Sequence, residues 1–200
     1  MEPLESFDYK HCRVDIYPDL DSECGNPREY DNLGVMYCEH RNYVLGDMDS
    51  KYTPEIDVVR EAIRELQERG YGMDRLERYL RVALGATCVL PLYLFDHSGL
   101  SMTTCAAEFA VWDAQRWDWG QVGIICDSAR TRELTGVEVA DVEAQLVSEV
   151  AQYDAYLHGS VFGYTVTNIA TGIEVGSCWG YLVVDEQDME YLRSEARAAA

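Results

Sequence analysis

Asp31-Asn32-Leu33-Gly34-Val35-Met36-Tyr37-Cys38-Glu39-His40-Arg41-Asn42-Tyr43-Val44-Leu45-Gly46-Asp47 concentrates two turn signals, a run of strand formers, a thiol, an imidazole and four charged groups in one stretch. Leu33–Cys38 reads as a strand, and Asn42–Leu45 as its continuation or its hairpin partner before Gly46-Asp47. A strand here, followed at once by helical patterns, places the chain in the α+β class: a mainly antiparallel sheet packed against about three helices.

The flanking segments support that class. Downstream, Thr53 suits a helix N-cap, Pro54 the first helical position and Gly70 the end. Ile56, Val59, Ile63 and Leu66 recur at helical spacing, with Glu61/Arg64 and Glu65/Arg69 as opposite-charge pairs. A second helix is expected from Asp74 to about Leu84, with Leu76, Leu80 and Leu84 buried. Cys88–Phe95 is an apolar strand ending in the polar turn Asp96-His97-Ser98-Gly99, a position that commonly carries functional groups. Trp112, Trp117 and Trp119 follow, at least one of them expected in the core and the others open to a partner, then a strand over Gln121–Cys126. Thr135 with Glu138 has capping-box spacing and opens the longest helix, whose apolar stripe is Val139, Val142, Leu146, Val150, Tyr153 and Leu157. Ser160–Thr167 and Ile173–Val184 form a hairpin around Asn168–Gly172. Upstream, Arg13–Tyr17 alternates like a strand within an otherwise acidic, loop-rich residues 1–30, and residues 185–200 form a closing helix with a frayed alanine tail. With no repeat or linker, one domain over 1–200 is the simplest reading.

Composition narrows the function classes. The 36 acids and 16 bases give a net charge of -20, which excludes direct nucleic-acid binding of the usual kind and disfavours an anionic membrane surface. The seven cysteines are odd in number, scattered and without a CxxC pair, the pattern of reduced thiols in a cytoplasmic protein. The N-terminus lacks the basic and apolar regions of a secretory signal, and no apolar run approaches the roughly 20 residues of a membrane span. No glycine-rich nucleotide loop is present, and no cofactor is expected.

The excess charge is uneven. Residues 51–90 are balanced, whereas between Arg132 and Arg193 there is no Lys or Arg, only acids: Glu133, Glu138, Asp141, Glu143, Glu149, Asp154, Glu174, Asp185, Glu186, Asp188 and Glu190. With the apolar stripe turned to the core, Glu138, Asp141 and Glu149 are expected on the exposed face of the long helix, with Asp185, Glu186 and Asp188 completing a partner-binding surface. Such a surface is either a solvated face or an imitation of a phosphate backbone that occupies a basic groove on a nucleic-acid-handling protein. Two chemical alternatives stand beside it. Cys38, His40, Asp96 and His97 supply a thiol, a base and an orienting carboxylate if the fold brings them together, and His40, Asp47, Asp96 and His97 supply nitrogen and oxygen ligands for a metal.

At these residues the chain resembles a family of uncharacterised small acidic proteins carried by phages, prophages and plasmids. The resemblance lies in Asn26–Gly34 with Met36, Cys38, His40-Arg41, Tyr43 and Leu45-Gly46-Asp47, in Leu90–Tyr93 with Asp96–Gly99, and in Trp119–Gly123, Tyr153–Leu157 and Ser177–Tyr181. The Trp-rich segment before Trp119 and the long acidic tail depart from the family's pattern. The resemblance brings no catalytic residues with it. It implies a mobile-element context, in which small acidic proteins often inhibit host defence as antirestriction or anti-CRISPR proteins, some as DNA mimics. The expected partner is accordingly a host nucleic-acid-binding defence protein, and the small hydrolase or metal-dependent enzyme is the alternative.

Overall fold

Only the middle of the quoted stretch pairs as a strand, because Glu39 turns away after a single further backbone bond and Asn42–Leu45 stays irregular apart from the bridge Tyr37↔Gly46. The computed structural model describes residues 2–20, 25–47, 56–69 and 72–200, so the expected cap at Thr53-Pro54 and stop at Gly70 lie outside the described residues. In chain order the strands are β1 (Glu5–Tyr9), β2 (Cys12–Pro18), β3 (Val35–Cys38), β4 (Val89–Asp96), β5 (Leu100–Thr103), β6 (Trp119–Cys126), β7 (Val161–Asn168) and β8 (Glu174–Leu182). The helices are α1 (Ile56–Arg69), α2 (Met73–Ala83), α3 (Ala106–Ala110), α4 (Ala129–Thr135), α5 (Val142–Leu157) and α6 (Glu186–Ala198). The α+β class with antiparallel pairing is therefore observed, the strands being shared between two four-stranded sheets.

One compact unit spans Pro27–Asp154 and carries the sheet β3-β6-β4-β5. Strand alternation gives it two apolar faces. Tyr37, Ile124 and Cys126 point to one side, where Val59 and Ile63 of α1 and Leu76 and Leu80 of α2 close over them. The next residue along each strand points the other way, and there Gly34 lies so close to Ile125 and to Leu146 of α5 that an added Cβ would stand 2.6 Å from both. The pairs expected on α1 form, Arg64 with Glu61 and Arg69 with Glu65. Asp127, fully buried, ties the end of β6 to the start of β4 by accepting from the backbone N–H of Thr87 and Cys88 and pairing with Arg132.

The long helix begins later than its capping signal suggests. Ser128 and Thr131 form the reciprocal box that starts α4, Thr135 ends that helix, and Gly136 takes the left-handed conformation (φ 71°) that closes it. Glu138 makes no side-chain cap bond and Val139 is exposed; the expected stripe holds from Val142 through Leu146, Val150 and Tyr153.

The second unit, Met1–Asn26 with Ala155–Ala200, carries the sheet β1-β2-β7-β8. Leu192 and Ala196 of α6 pack on Cys12, Val14, Ile16, Tyr164 and Val166. Asn168 organises the expected hairpin loop by accepting from the N–H groups of Ala170 and Thr171. Two expectations change here. The strand expected over Arg13–Tyr17 is present within β2 but pairs in a hairpin with β1, Glu5–Tyr9, where loop was expected, and the alanine tail is docked, with Ala200 against the apolar cluster.

Gly123 decides how closely β3 approaches β6: a Cβ there would lie 2.0 Å from the Tyr37 carbonyl oxygen and 2.9 Å from Cys38 Cα, both backbone. Gly123→Ala is expected to force the strands apart and to cost about 1–3 kcal/mol or more, read by urea denaturation, whereas Gly120→Ala on the same strand, where an added Cβ meets nothing within 4 Å, should be nearly neutral.

Candidate functional site

The chemistry of the quoted stretch divides between a buried network and an open groove, both within the Pro27–Asp154 unit. In the network, Arg28, held in a single turn of 3-10 helix (Pro27–Glu29), donates from Nε and Nη2 to the two carboxylate oxygens of Asp47 at 3.1 and 2.8 Å. Its Nη1 donates to Glu149 at 3.0 Å and its Nη2 also to the Gly34 carbonyl. The Leu33 and Gly34 N–H groups donate to Glu149 at 2.8 and 3.1 Å, and the Met36 N–H donates to Asp47 at 2.7 Å. Burial alone would lower the affinity of Arg28 for its proton, but the hydrogen bonds and charges of Asp47 and Glu149 more than reverse it.

Three expectations fall with this geometry. Glu149 is 3% exposed and spent on Arg28 and two backbone donors, so it belongs to the core and not to a partner-binding surface. Asp47 is likewise committed and is no free metal ligand. Cys38 is 2% exposed, and burial, then the charge of Asp47, pushes its thiol up to about 12; a thiol so placed supplies no nucleophile at neutral pH.

The groove lies where β3 parts from β6. β4 pairs along β6 from Trp119 to Cys126, but β3 pairs only from Gly123 onward, and Glu39–Tyr43 peels away. The His40 ring stacks on Tyr43 (4.9 Å between centroids, 12° between planes), and the Tyr43 hydroxyl donates to Asp96 at the end of β4 (3.2 Å). The cleft so enclosed, about 410 Å³, is lined by Glu39, His40, Arg41, Leu94, Asp96 and residues 117–122. Asp113 builds its rim: its carboxylate accepts from the N–H groups of Gln115, Trp117 and Asp118, and these bonds hold it below the usual carboxylate range despite opposing desolvation. Trp119 is buried, donates its indole N–H to the Asp113 carbonyl and carries Arg116 over its ring at 4.8 Å. Trp117 and Trp112 are 82% and 83% exposed. The expectation of at least one core tryptophan is met by Trp119.

The structure thus brings His40 and Asp96 to one groove but leaves Cys38 buried and His97 outside the lining, where its Nδ1 is 3.1 Å from Ser98 Oγ and its ring faces Phe95. Neither the four-residue catalytic set nor the metal set assembles, and among the described residues no group of three or more His, Cys, Asp or Glu is placed to hold a metal ion. Of the other acids, Glu138 and Asp141 are exposed as expected. Asp185 caps α6 by accepting from the N–H groups of Gln187 and Asp188, Asp188 accepts from Val184, and Glu186 pairs with Arg193. Sequence reasoning missed Arg28, Tyr43 and Asp113. Arg28, a lone cation within the Asn26–Gly34 motif, and Tyr43 both stand among the residues that carry the resemblance, whereas Asp113 left no signal.

Fold and site together define a class: an α+β protein of two antiparallel sheets with an aromatic-rimmed acidic groove. Comparison of the chain with protein-family models, with curated proteins and with solved structures finds no match. Among the described residues no helix is long and apolar enough to cross a membrane.

Two measurements check the geometry. Glu149→Ala is expected to lower the stability of this unit by about 2–4 kcal/mol in chemical denaturation, because it leaves Arg28 Nη1 and the buried Leu33 and Gly34 N–H groups without their acceptor. His40 is held below its ordinary value of 6.5 by burial, with Asp96 pulling upward and Arg41 downward. An NMR pH titration should therefore place its midpoint below that of a free histidine, and Asp96→Asn should move the midpoint further down; an upward move would contradict the groove geometry.

Proposed function

We propose that this protein acts by binding and not by catalysis, as an acidic inhibitor from a mobile element whose target is a basic, nucleic-acid-handling host defence protein of the restriction or CRISPR kind. The observation that carries the reading is the state of the acids from α4 to the first turn of α5. Glu133, Glu138, Asp141 and Glu143 are all exposed, and among the described residues none is in an ion pair. They alternate with exposed Leu134 and Val139, so one continuous stretch offers negative charge around apolar area, the composition of a docking patch for a basic surface. The mobile-element context rests on the family resemblance alone.

The supported form of mimicry is local. Glu149 is internal, and Asp185, Glu186 and Asp188 serve the start of α6, so the six acids expected as one surface reduce here to Glu138 and Asp141 with their neighbours Glu133 and Glu143.

The test is the efficiency of plating of an unmodified phage on hosts carrying a restriction or a CRISPR system, with and without this protein. The native chain should raise plating by at least about tenfold in a susceptible host, and the Glu138→Lys/Asp141→Lys/Glu143→Lys variant, with unchanged melting, should return it to the empty-vector level. Full protection by that variant would sink the acidic-patch reading.

A further inference from the structure

We infer that β8 is a self-association edge: two copies of this chain pair their β8 strands antiparallel about a two-fold axis at Ser177, so that their four-stranded sheets run on into one another.

The hydrogen bonding shows which groups of β8 are open. The strand ends the sheet β1-β2-β7-β8, so only one of its sides meets a neighbour. Odd-numbered residues along β7 bond toward β2, as the bonds from the Ile169 N–H to the His11 carbonyl and from the Asp19 N–H to the Val161 carbonyl mark. Even-numbered ones bond toward β8: the Asn168 N–H donates to the Ile173 carbonyl, and the Val183 N–H donates to the Ser160 carbonyl. Ser177 is the register partner of Thr165, an odd position, so its own N–H and C=O turn outward. Among the described residues neither group has a hydrogen-bond partner, and Ser177 is exposed.

Charge and register make the occupant a second copy. From Val175 to Val184 the chain has no charged residue and no proline, the groups that commonly keep edge strands from pairing. In a molecule of net charge -20, most approaches of one copy to another bring acid toward acid, and this edge does not. With the axis at Ser177, Val175 of each copy lies opposite Trp179 of the other, an aromatic and β-branched pair made twice, and Glu174 lies opposite Gly180, so no like charges meet. Val175 and Trp179 are 53% and 47% exposed. The Trp179 ring is already held, stacked on Tyr17 at 6.1 Å and lying over Gly163, where an added Cβ would stand 2.2 Å from it. The bulges that break the β7–β8 register fall at Val175 and at Trp179-Gly180, evenly about Ser177, so each bulge meets a bulge of the second copy and not a regular strand. On the α6 side, exposed Tyr191 stands with its ring 6.3 Å from that of Tyr181 and adds aromatic area beside the edge.

One strand of ladder buries less than the roughly 1,200 Å² of a standard interface, so the dimer is weak and forms at high concentration. Its association strengthens with salt, which screens the repulsion between two acidic copies, whereas salt weakens the capture of a basic partner. The edge lies in the unit of Met1–Asn26 with Ala155–Ala200 and uses none of Glu133, Glu138, Asp141 and Glu143, so it stands or falls separately from the proposed function.

The test is sedimentation velocity of the full chain from about 10 µM to about 1 mM, with amide hydrogen exchange at both ends of that range. The mass should rise from monomer toward dimer, and the dimer fraction should be higher in about 0.5 M salt than in about 0.05 M. The Ser177 amide should exchange at least about fivefold more slowly at the high concentration. Ser177→Lys, which sets two like charges opposite each other at the axis and keeps the native backbone, should weaken dimerisation about tenfold or more. Ser177→Pro, which removes only an outward N–H, should abolish it with melting unchanged. The Glu138/Asp141/Glu143 reversal variant should dimerise at least as well as the native chain. A monomer at every concentration, a dimer that Ser177→Lys leaves unchanged, or a dimer that salt dissociates would overturn the inference. So would protection of the Ser177 amide by an added blocked peptide Thr-Val-Thr-Val-Thr in a chain that stays monomeric, which would assign the edge to a foreign strand.

Discussion

The Arg28 guanidinium, enclosed by Asp47, Glu149 and the Gly34 carbonyl, is the interaction on which the Pro27–Asp154 unit depends. It joins a turn of 3-10 helix, the turn before β3, the loop after it and the middle of α5. Two carboxylates face one cation, and the surplus negative charge is met by the N–H groups of Leu33, Gly34 and Met36. Burying charge is costly unless every lone pair and proton is satisfied, and here the geometry supplies the satisfaction. The same apolar enclosure pushes Cys38 and Tyr153 up to about 12, so the thiol and phenol beside the network are chemically quiet at neutral pH. The densest chemistry in the sequence is architecture.

Elements with a clean period were legible. The hairpin β7–β8, the strand β2, the helices α1, α2 and α6 and the core face of α5 all follow from alternation or helical spacing, because one buried face against one solvated face prints its period on the chain. Strands β1 and β5 carry Glu-Ser-Phe-Asp-Tyr and Leu-Ser-Met-Thr, too polar or too short to show alternation, and exist because a neighbouring strand offers a ladder. Helix α4 hides behind a box in which threonine takes the usual place of Glu or Gln.

The site was less legible for a physical reason. Glu149 stands three residues after Leu146 and four before Tyr153, so helical spacing puts it on the buried arc, yet its charge argued for the surface. Only its partner resolves the conflict, and Arg28 is 121 residues away in the chain. Tyr43 and Asp96 likewise meet across 53 residues. Pairings of that separation leave no local signature. The tryptophans show the complementary case: composition alone cannot divide three indoles between core and surface, whereas Asp113, by taking the N–H groups of Trp117 and Asp118 and offering its carbonyl to Trp119, turns one ring inward and leaves the next outward.

Net charge and usable charge are different quantities in this molecule. Of the acids in the interval without Lys or Arg, Glu149 is compensated internally, Asp154 serves Ser101 and Met102, Asp185 and Asp188 hold the start of α6, and Glu186 and Glu190 meet Arg193. A carboxylate already accepting from backbone donors or a guanidinium must lose those bonds before it can serve a partner, so it contributes to the far field but little to contact energy. Among the described residues the acids of this interval outside ion pairs are Glu133, Glu138, Asp141 and Glu143 and, apart from them on β8, Glu174. Glu138, Asp141 and Glu143 are separated by only two or three residues, within the Debye length of about 8 Å at physiological ionic strength, and act on an approaching basic surface as one charge. Asp96 and Asp118 stand elsewhere, in the wall of the groove beside Trp117 and Trp119. On the proposed binding role, the first arrangement governs how fast a basic protein arrives and how strongly salt opposes it.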